Sequence, residues 1–257
     1  MGNIYAVTNQ KGGVGKTTTT VNLAASLAAT GKKVLLIDLD PQGNASTGCG
    51  VDKDNIEVGS YDVIMTAVKA ADAIVTPDNL GFDVMPTNSD MTAAEVQLLD
   101  VKLREHRLRL ALESTRQNYD YILIDCPPSL SMLTLNALVA SQGVLIPIQC
   151  EYYALEGLSS LLKTIERVKQ RANPSLELSG LIRTMYDARN NLANQVSRQL
   201  ITHFNKKVFH AIIPRNVRLA EAPSHGIPVI DYDRSSRGSI AYMAMASEFM
   251  RREATND

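Results

Sequence analysis

Three stretches of this chain stay apolar almost to their last residue: 34–38 (VLLID), 121–125 (YILID) and 144–149 (VLIPIQ). A strand with one face in water alternates apolar and polar residues; a strand covered on both faces does not. The three runs therefore predict a sheet with both faces buried. Residues 4–8, 178–184 and 209–213 are further strand candidates. Helical stretches are expected between them at 16–29, 103–115, 132–139, 155–171, 192–204 and 239–252, and Gly31 closes the first as a C-cap glycine does. Strand and helix in repeated alternation predict an α/β fold, a doubly wound, mostly parallel sheet flanked by helices on both faces. The 257 residues, 45% of them hydrophobic, are expected to form one domain, 1–257. Residues 51–90 are the least legible. Turn signals at Thr76-Pro77-Asp78-Asn79, Leu80-Gly81 and Met85-Pro86-Thr87-Asn88 suggest an edge hairpin there.

Cys49, Cys126 and Cys150 are far apart and form no CxxC pair, which argues against a disulfide framework or a structural zinc site. Reduced thiols and a cytoplasmic location are expected. The N-terminus lacks the apolar segment of a signal peptide, and no run reaches the ~20 apolar residues of a membrane span. Aromatics are only 5% and Trp is absent, which argues against stacking platforms for single-stranded nucleic acid.

The most specific chemical signal is Gln10-Lys11-Gly12-Gly13-Val14-Gly15-Lys16-Thr17-Thr18, between a strand and a helix. Glycines let backbone N–H groups turn inward around phosphate oxygens, and the helix N-terminus adds partial positive charge. Lys16 is expected to reach the terminal phosphates and Thr17 to ligate Mg²⁺. The strict pattern has Gly where Gln10 stands, and Lys11 is an extra cation. Two lysines beside one small loop repel unless polyphosphate lies between them, so Lys11 is expected to be either a solvated surface residue or a cation serving a second subunit's nucleotide.

KGGVGKTT is a deviant Walker A motif, and the chain resembles ParA/Soj-type chromosome- or plasmid-partition ATPases of the P-loop NTPase class. The resemblance continues through Asp38-Leu39-Asp40-Pro41-Gln42-Gly43-Asn44, Ile124-Asp125-Cys126-Pro127-Pro128-Ser129, the segment from Gln149 to Gly157 and the segment from Ile213 to Gly226. It implies ATP and Mg²⁺ as cofactors, with Lys11, Gly12, Gly13, Val14, Gly15, Lys16, Thr17 and Thr18 around the phosphates. It implies a homodimer bridged by ATP, in which Lys11 contacts the partner's nucleotide, and Pro214 and Asn216 against the adenine.

Asp38, Asp40 and Asp125 stand at or just beyond strand ends, where ligands sit in doubly wound sheets. Asp125 closes a Walker-B-like strand and is expected to hold Mg²⁺ through water. Asp40 is the candidate for orienting the attacking water, the role the resemblance also implies; Asp38 could serve either purpose and is read as a supporting group. The rigid Cys126-Pro127-Pro128-Ser129 segment reads as a γ-phosphate sensor. Cys126 lacks the second cysteine an iron–sulfur cluster needs and is read as a small buried residue. The guanine-specifying N/T-K-x-D pattern is absent, which favours ATP.

The net charge of -1 conceals an asymmetry. Residues 163–218 hold 11 basic and 3 acidic residues, and the rest of the chain is correspondingly acidic. Such a segment suits an anionic polymer or a solvated surface equally. The resemblance implies non-specific binding of double-stranded DNA by the ATP dimer, with Arg189 and Arg218 at matching positions; Lys206, Lys207, Arg198 and Arg237 are weaker candidates. It also implies a ParB/Spo0J-like centromere-binding partner that stimulates hydrolysis, and a cytoplasmic, nucleoid-associated protein. A MinD-like membrane-cycling ATPase is the alternative. It would need a basic amphipathic C-terminal helix, whereas residues 242–257 carry few cations and end polar and acidic, so no membrane partner is expected. A metabolic amidoligase would need an added substrate domain, for which the length leaves little room.

Overall fold

In the computed structural model, which describes residues 2–66 and 68–255, seven strands form one sheet. The strands are β1 (Asn3–Val7), β2 (Val34–Asp38), β3 (Asp83–Met85), β4 (Tyr121–Asp125), β5 (Gly143–Gln149), β6 (Glu177–Tyr186) and β7 (Val208–Pro214). Their order is β3-β2-β4-β1-β5-β6-β7, and every neighbouring pair is parallel. The chain winds out from β1 in one direction to β2 and β3, returns to β4, and builds β5 to β7 on the other side.

Eleven α-helices are described: α1 (Lys16–Ala28), α2 (Asn44–Gly48), α3 (Ser60–Met65), α4 (Met91–Gln97), α5 (Arg107–Leu112), α6 (Met132–Ala140), α7 (Ala154–Arg171), α8 (Asn191–Phe204), α9 (Val217–Glu221), α10 (Val229–Tyr232) and α11 (Arg237–Ala254). Strand side chains alternate between two cores. Ile4, Ala6, Leu35, Ile37, Ile122 and Ile124 pack with α3 to α8. Tyr5, Val7, Val34, Leu36, Tyr121 and Leu123 pack with α1, α2 and α9 to α11. The central strands are apolar throughout because each alternate residue meets a different helical layer.

The 51–90 region corrects one expectation. Among its described residues it holds, instead of an edge hairpin, α3 and the short strand β3, which runs parallel to β2, with one antiparallel bridge from Val75 to Val84. The helix expected over 103–115 is cut to Arg107–Leu112. Asn136 of α6 accounts for the late start. Its side-chain amide donates to Arg104 O (2.7 Å), and its carbonyl accepts from Leu108 N (3.2 Å). It thus occupies both members of the backbone pair that a continuous helix would join to each other. Leu103, at φ 55°, lies outside helical geometry altogether.

At the C-terminus, α11 is a core helix: Tyr242, Met245, Ala246 and Phe249 are buried. Asn256 and Asp257, the polar end noted in the sequence, lie outside the described residues. Among the described residues no helix is long and apolar enough to cross a membrane.

Candidate functional site

The parallel register sets the ends of β1, β2 and β4 side by side: Val7 is opposite Asp125, and Asp125 is opposite Asp38. The loop leaving β1 crosses this edge and enters α1. Gly13 and Gly15 have φ of 70° and 88°, left-handed values that cost an L side chain about 1 kcal/mol or more. Gly15 caps α1 without a side-chain hydrogen bond, so the N–H groups of the first turn face the cavity uncapped by any side chain. The Thr184 hydroxyl donates to Val14 O (2.7 Å), tying the loop to β6. Asn9 steadies its start, donating to Pro147 O and accepting from Lys11 N.

Lys16 is 7% exposed and curls back so that Nζ donates to Lys11 O (3.3 Å). Burial lowers its pKa, while Asp125 and Asp40 pull the other way. That single carbonyl leaves ammonium N–H groups for an anion in the cavity. Thr17 Oγ1 donates to Asp125 Oδ2 (2.7 Å), and Thr20 Oγ1 donates to Asp125 Oδ1 (3.0 Å). With its proton committed to Asp125, the Thr17 oxygen presents only lone pairs outward. That is the donor set a hard cation takes: a hydroxyl oxygen in front and a carboxylate behind.

Asp125 and Asp38 are fully buried, and burial pushes both carboxyls above the usual range. Asp38 accepts from Ser46 N and Ser46 Oγ (both 2.8 Å) and from Asp40 N (3.1 Å). It therefore holds the loop that carries Asp40, whose own Oδ1 accepts from Gln42 N (3.0 Å). One cavity of about 490 Å³ is lined by Gly12, Gly13, Gly15, Lys16, Thr17, Thr18, Asp40, Pro128, Met185, Pro214 and Asn216. Asn216 also caps α9, accepting from Leu219 N (3.3 Å). Residues from five segments far apart in sequence thus meet at one edge of the sheet.

A family model described as an AAA domain, AAA_31, matches residues 2–178. The chain is 53% identical over 248 residues to the sporulation initiation inhibitor protein Soj of Bacillus subtilis, covering 96% of this chain and 98% of Soj. It is 51% identical over 252 residues to the chromosome partitioning protein ParA of Caulobacter vibrioides, covering 97% and 94%. The chain belongs to the ParA/Soj family of chromosome-partitioning ATPases. Among solved structures, cobyrinic acid a,c-diamide synthase from Mycobacterium smegmatis, with bound ATP analogue and magnesium, superposes on this ParA/Soj-family chain with a TM-score of 0.87 at 36% identity, covering 100% and 98% of the two chains.

Lys11 is exposed and paired with Glu151. Arg189, its side chain 90% exposed, makes a two-point contact with Asp187: Nε to Oδ1 at 3.0 Å and Nη2 to Oδ2 at 2.8 Å. The pair holds the Asp187 carboxyl down at about 2. Arg218 donates to Glu221 (2.8 Å) and lies 3.3 Å from Asp233. The candidate cations do not form one patch. Arg189 and Arg218 follow β6 and β7 at the cavity edge. Lys206 and Lys207 precede β7, at the opposite edge and about 23 Å away by strand length. Arg198 on α8 and Arg237 at the start of α11 are exposed. Cys126 and Cys49 are wholly buried and Cys150 nearly so, and all three are free thiols.

Sequence reasoning overlooked Thr20, Thr184, Met185 and Glu151. Thr20 was findable, since it lies one helical turn beyond Thr17 on the same face. Thr184 and Met185 lie far from the loop in sequence and carry no local signal, and Glu151 lies in the Gln149–Gly157 stretch of the resemblance, where nothing marks its pairing with Lys11.

Proposed function

We propose that this chain is a nucleotide-switched partition ATPase. Mg·ATP binds in the cavity, two copies pair across it, the dimer binds double-stranded DNA without sequence preference, and hydrolysis stimulated by DNA and a ParB-like partner releases it. The observation that carries this reading is the convergence of Lys16, the Thr17–Asp125 pair and Asp40 on one cavity. The loop amides and Lys16 hold the phosphates. Thr17, and Asp125 through water, would hold Mg²⁺, which would neutralise phosphate charge. Asp40 orients the attacking water, and Asp38 fixes the Asp40 loop. Pro214 and Asn216 bound the base. Lys11 leaves Glu151 to reach the partner's nucleotide. Arg189 and Arg218 take DNA phosphates at the cavity edge, with Lys206 and Lys207 as outlying contacts. A cytoplasmic, nucleoid-associated protein follows from that cycle.

Partition is favoured over amide synthesis by likeness: the Soj and ParA relatives share 53% and 51% identity, against 36% for the diamide synthase. The test is Asp40→Ala. That variant should bind Mg·ATP as tightly as the parent chain and release phosphate at least ten-fold more slowly. Normal turnover would remove Asp40 from the chemistry, and Lys16→Ala with unchanged nucleotide affinity would remove the phosphate loop.

A further inference from the structure

The pairing of β6 with β7 breaks register twice. The two-residue step from Leu181 to Arg183 is matched by a four-residue step from Val208 to Ile212. The three-residue step from Arg183 to Tyr186 is then matched by only two, from Ile212 to Pro214. The first break is a bulge in β7, and the second falls at Met185, whose φ of 47° is left-handed without glycine's freedom. Met185 and Pro214, which follow these breaks, both line the cavity.

Two buried ionic side chains hold the bulge from opposite sides. Arg183 Nη2 donates to Phe209 O (2.8 Å) and His210 O (3.2 Å), and its Nη1 donates to Ser197 Oγ (3.0 Å). Glu248 of α11 accepts from His210 N and Ala211 N, both at 2.9 Å. Each is 6% exposed. A bulge on an edge strand leaves N–H and C=O groups without ladder partners, and burying an ion is costly unless it is fully hydrogen-bonded. Here the two needs largely answer each other: the strand's free donors meet the carboxylate, which Arg252 also pairs, and its free acceptors meet the guanidinium, whose buried Nε finds no partner.

We infer that Arg183 and Glu248 are positioning residues for the nucleotide base. They lock the β7 bulge, and the bulge sets where Pro214 and Met185 stand on the cavity wall. This rests on the reading of the cavity as an ATP site. The phosphate half of the site is built on β1 and α1 and meets β6 through the Thr184–Val14 hydrogen bond, whereas the base wall is made by the bulged strand itself, so the clamp should act more on the base than on the phosphates.

The experiment is calorimetric titration of the intact chain, and of Arg183→Lys and Glu248→Gln, with Mg·ADP, Mg·GDP and Mg·pyrophosphate. Both variants keep most of the side-chain volume, and far-UV circular dichroism checks that they fold; the second covers the failure of the first. The expected result is ADP affinity lowered five-fold or more, with narrowed discrimination between ADP and GDP and pyrophosphate affinity within two-fold of the parent. Folded variants with the parent's ADP affinity and selectivity would overturn the proposal. So would equal losses for ADP and pyrophosphate, which would mark a general loosening of the chain. A parent chain that binds none of the three would instead overturn the ATP reading on which the proposal rests.

Discussion

Asp125 concentrates the tension of the site. It is buried beside Asp38 and held by two hydroxyls, and burial raises its pKa with Asp38 adding to the effect. The folded, metal-free chain therefore keeps protons on this pair that the unfolded chain releases near pH 4, so their contribution to stability falls as pH rises toward neutrality. Asp125→Asn removes that penalty. In EDTA it should be no less stable than the parent, with its relative advantage growing from pH 5 to pH 8, yet it should lose the stabilisation by Mg·ADP. Urea unfolding at both pH values reads this out, and a variant destabilised most at pH 8 would contradict it. Arg189 offers a second single-residue test. Its two-point contact with Asp187 competes with any phosphate. Asp187→Asn should tighten binding to a random-sequence duplex several-fold in the presence of ATP. Unchanged or weaker binding would take Arg189 out of the DNA face.

At the level of elements, burial on both faces erases the alternating period, and the strands were legible instead because their apolar runs are short, rich in Val and Ile and interleaved with longer helical stretches. The six strands expected from the sequence are all present, and the phosphate loop sits at the strand–helix junction its glycines require. The misreadings share a cause: tertiary contacts overrode local preference. The leucines at 103, 108, 110 and 112 suit a helix, but Asn136 intercepts its backbone from another element. The strand β3 has three residues and relies on β2 for its hydrogen bonds, so it leaves almost no pattern of its own. Asn136→Ala should cost about 1–3 kcal/mol, the penalty for leaving buried Leu108 N and half-buried Arg104 O without partners. A loss well below that, measured by urea unfolding, would show that the turn heals into a longer helix.

Across the whole molecule, the sheet edge collects the groups for phosphate, metal and water, and two of the candidate DNA arginines leave the same edge. Under the proposed cycle, pairing two such edges across ATP would double the arginines presented to one duplex, which would let nucleotide state govern DNA affinity. The asymmetric charge of residues 163–218 could be counted in the sequence, but only the fold shows that Lys206 and Lys207 stand at the far edge. The most direct test is binding to a random-sequence duplex with Mg·ATP, with Mg·ADP and without nucleotide, across a salt series. The account predicts binding only with ATP, with a log–log salt slope at least as steep as about -3.6, the share of a dimer's four arginines at about -0.9 per phosphate, to which Lys206 and Lys207 add. Binding of equal strength in all three states, or none in any while ATP hydrolysis is intact, would contradict it.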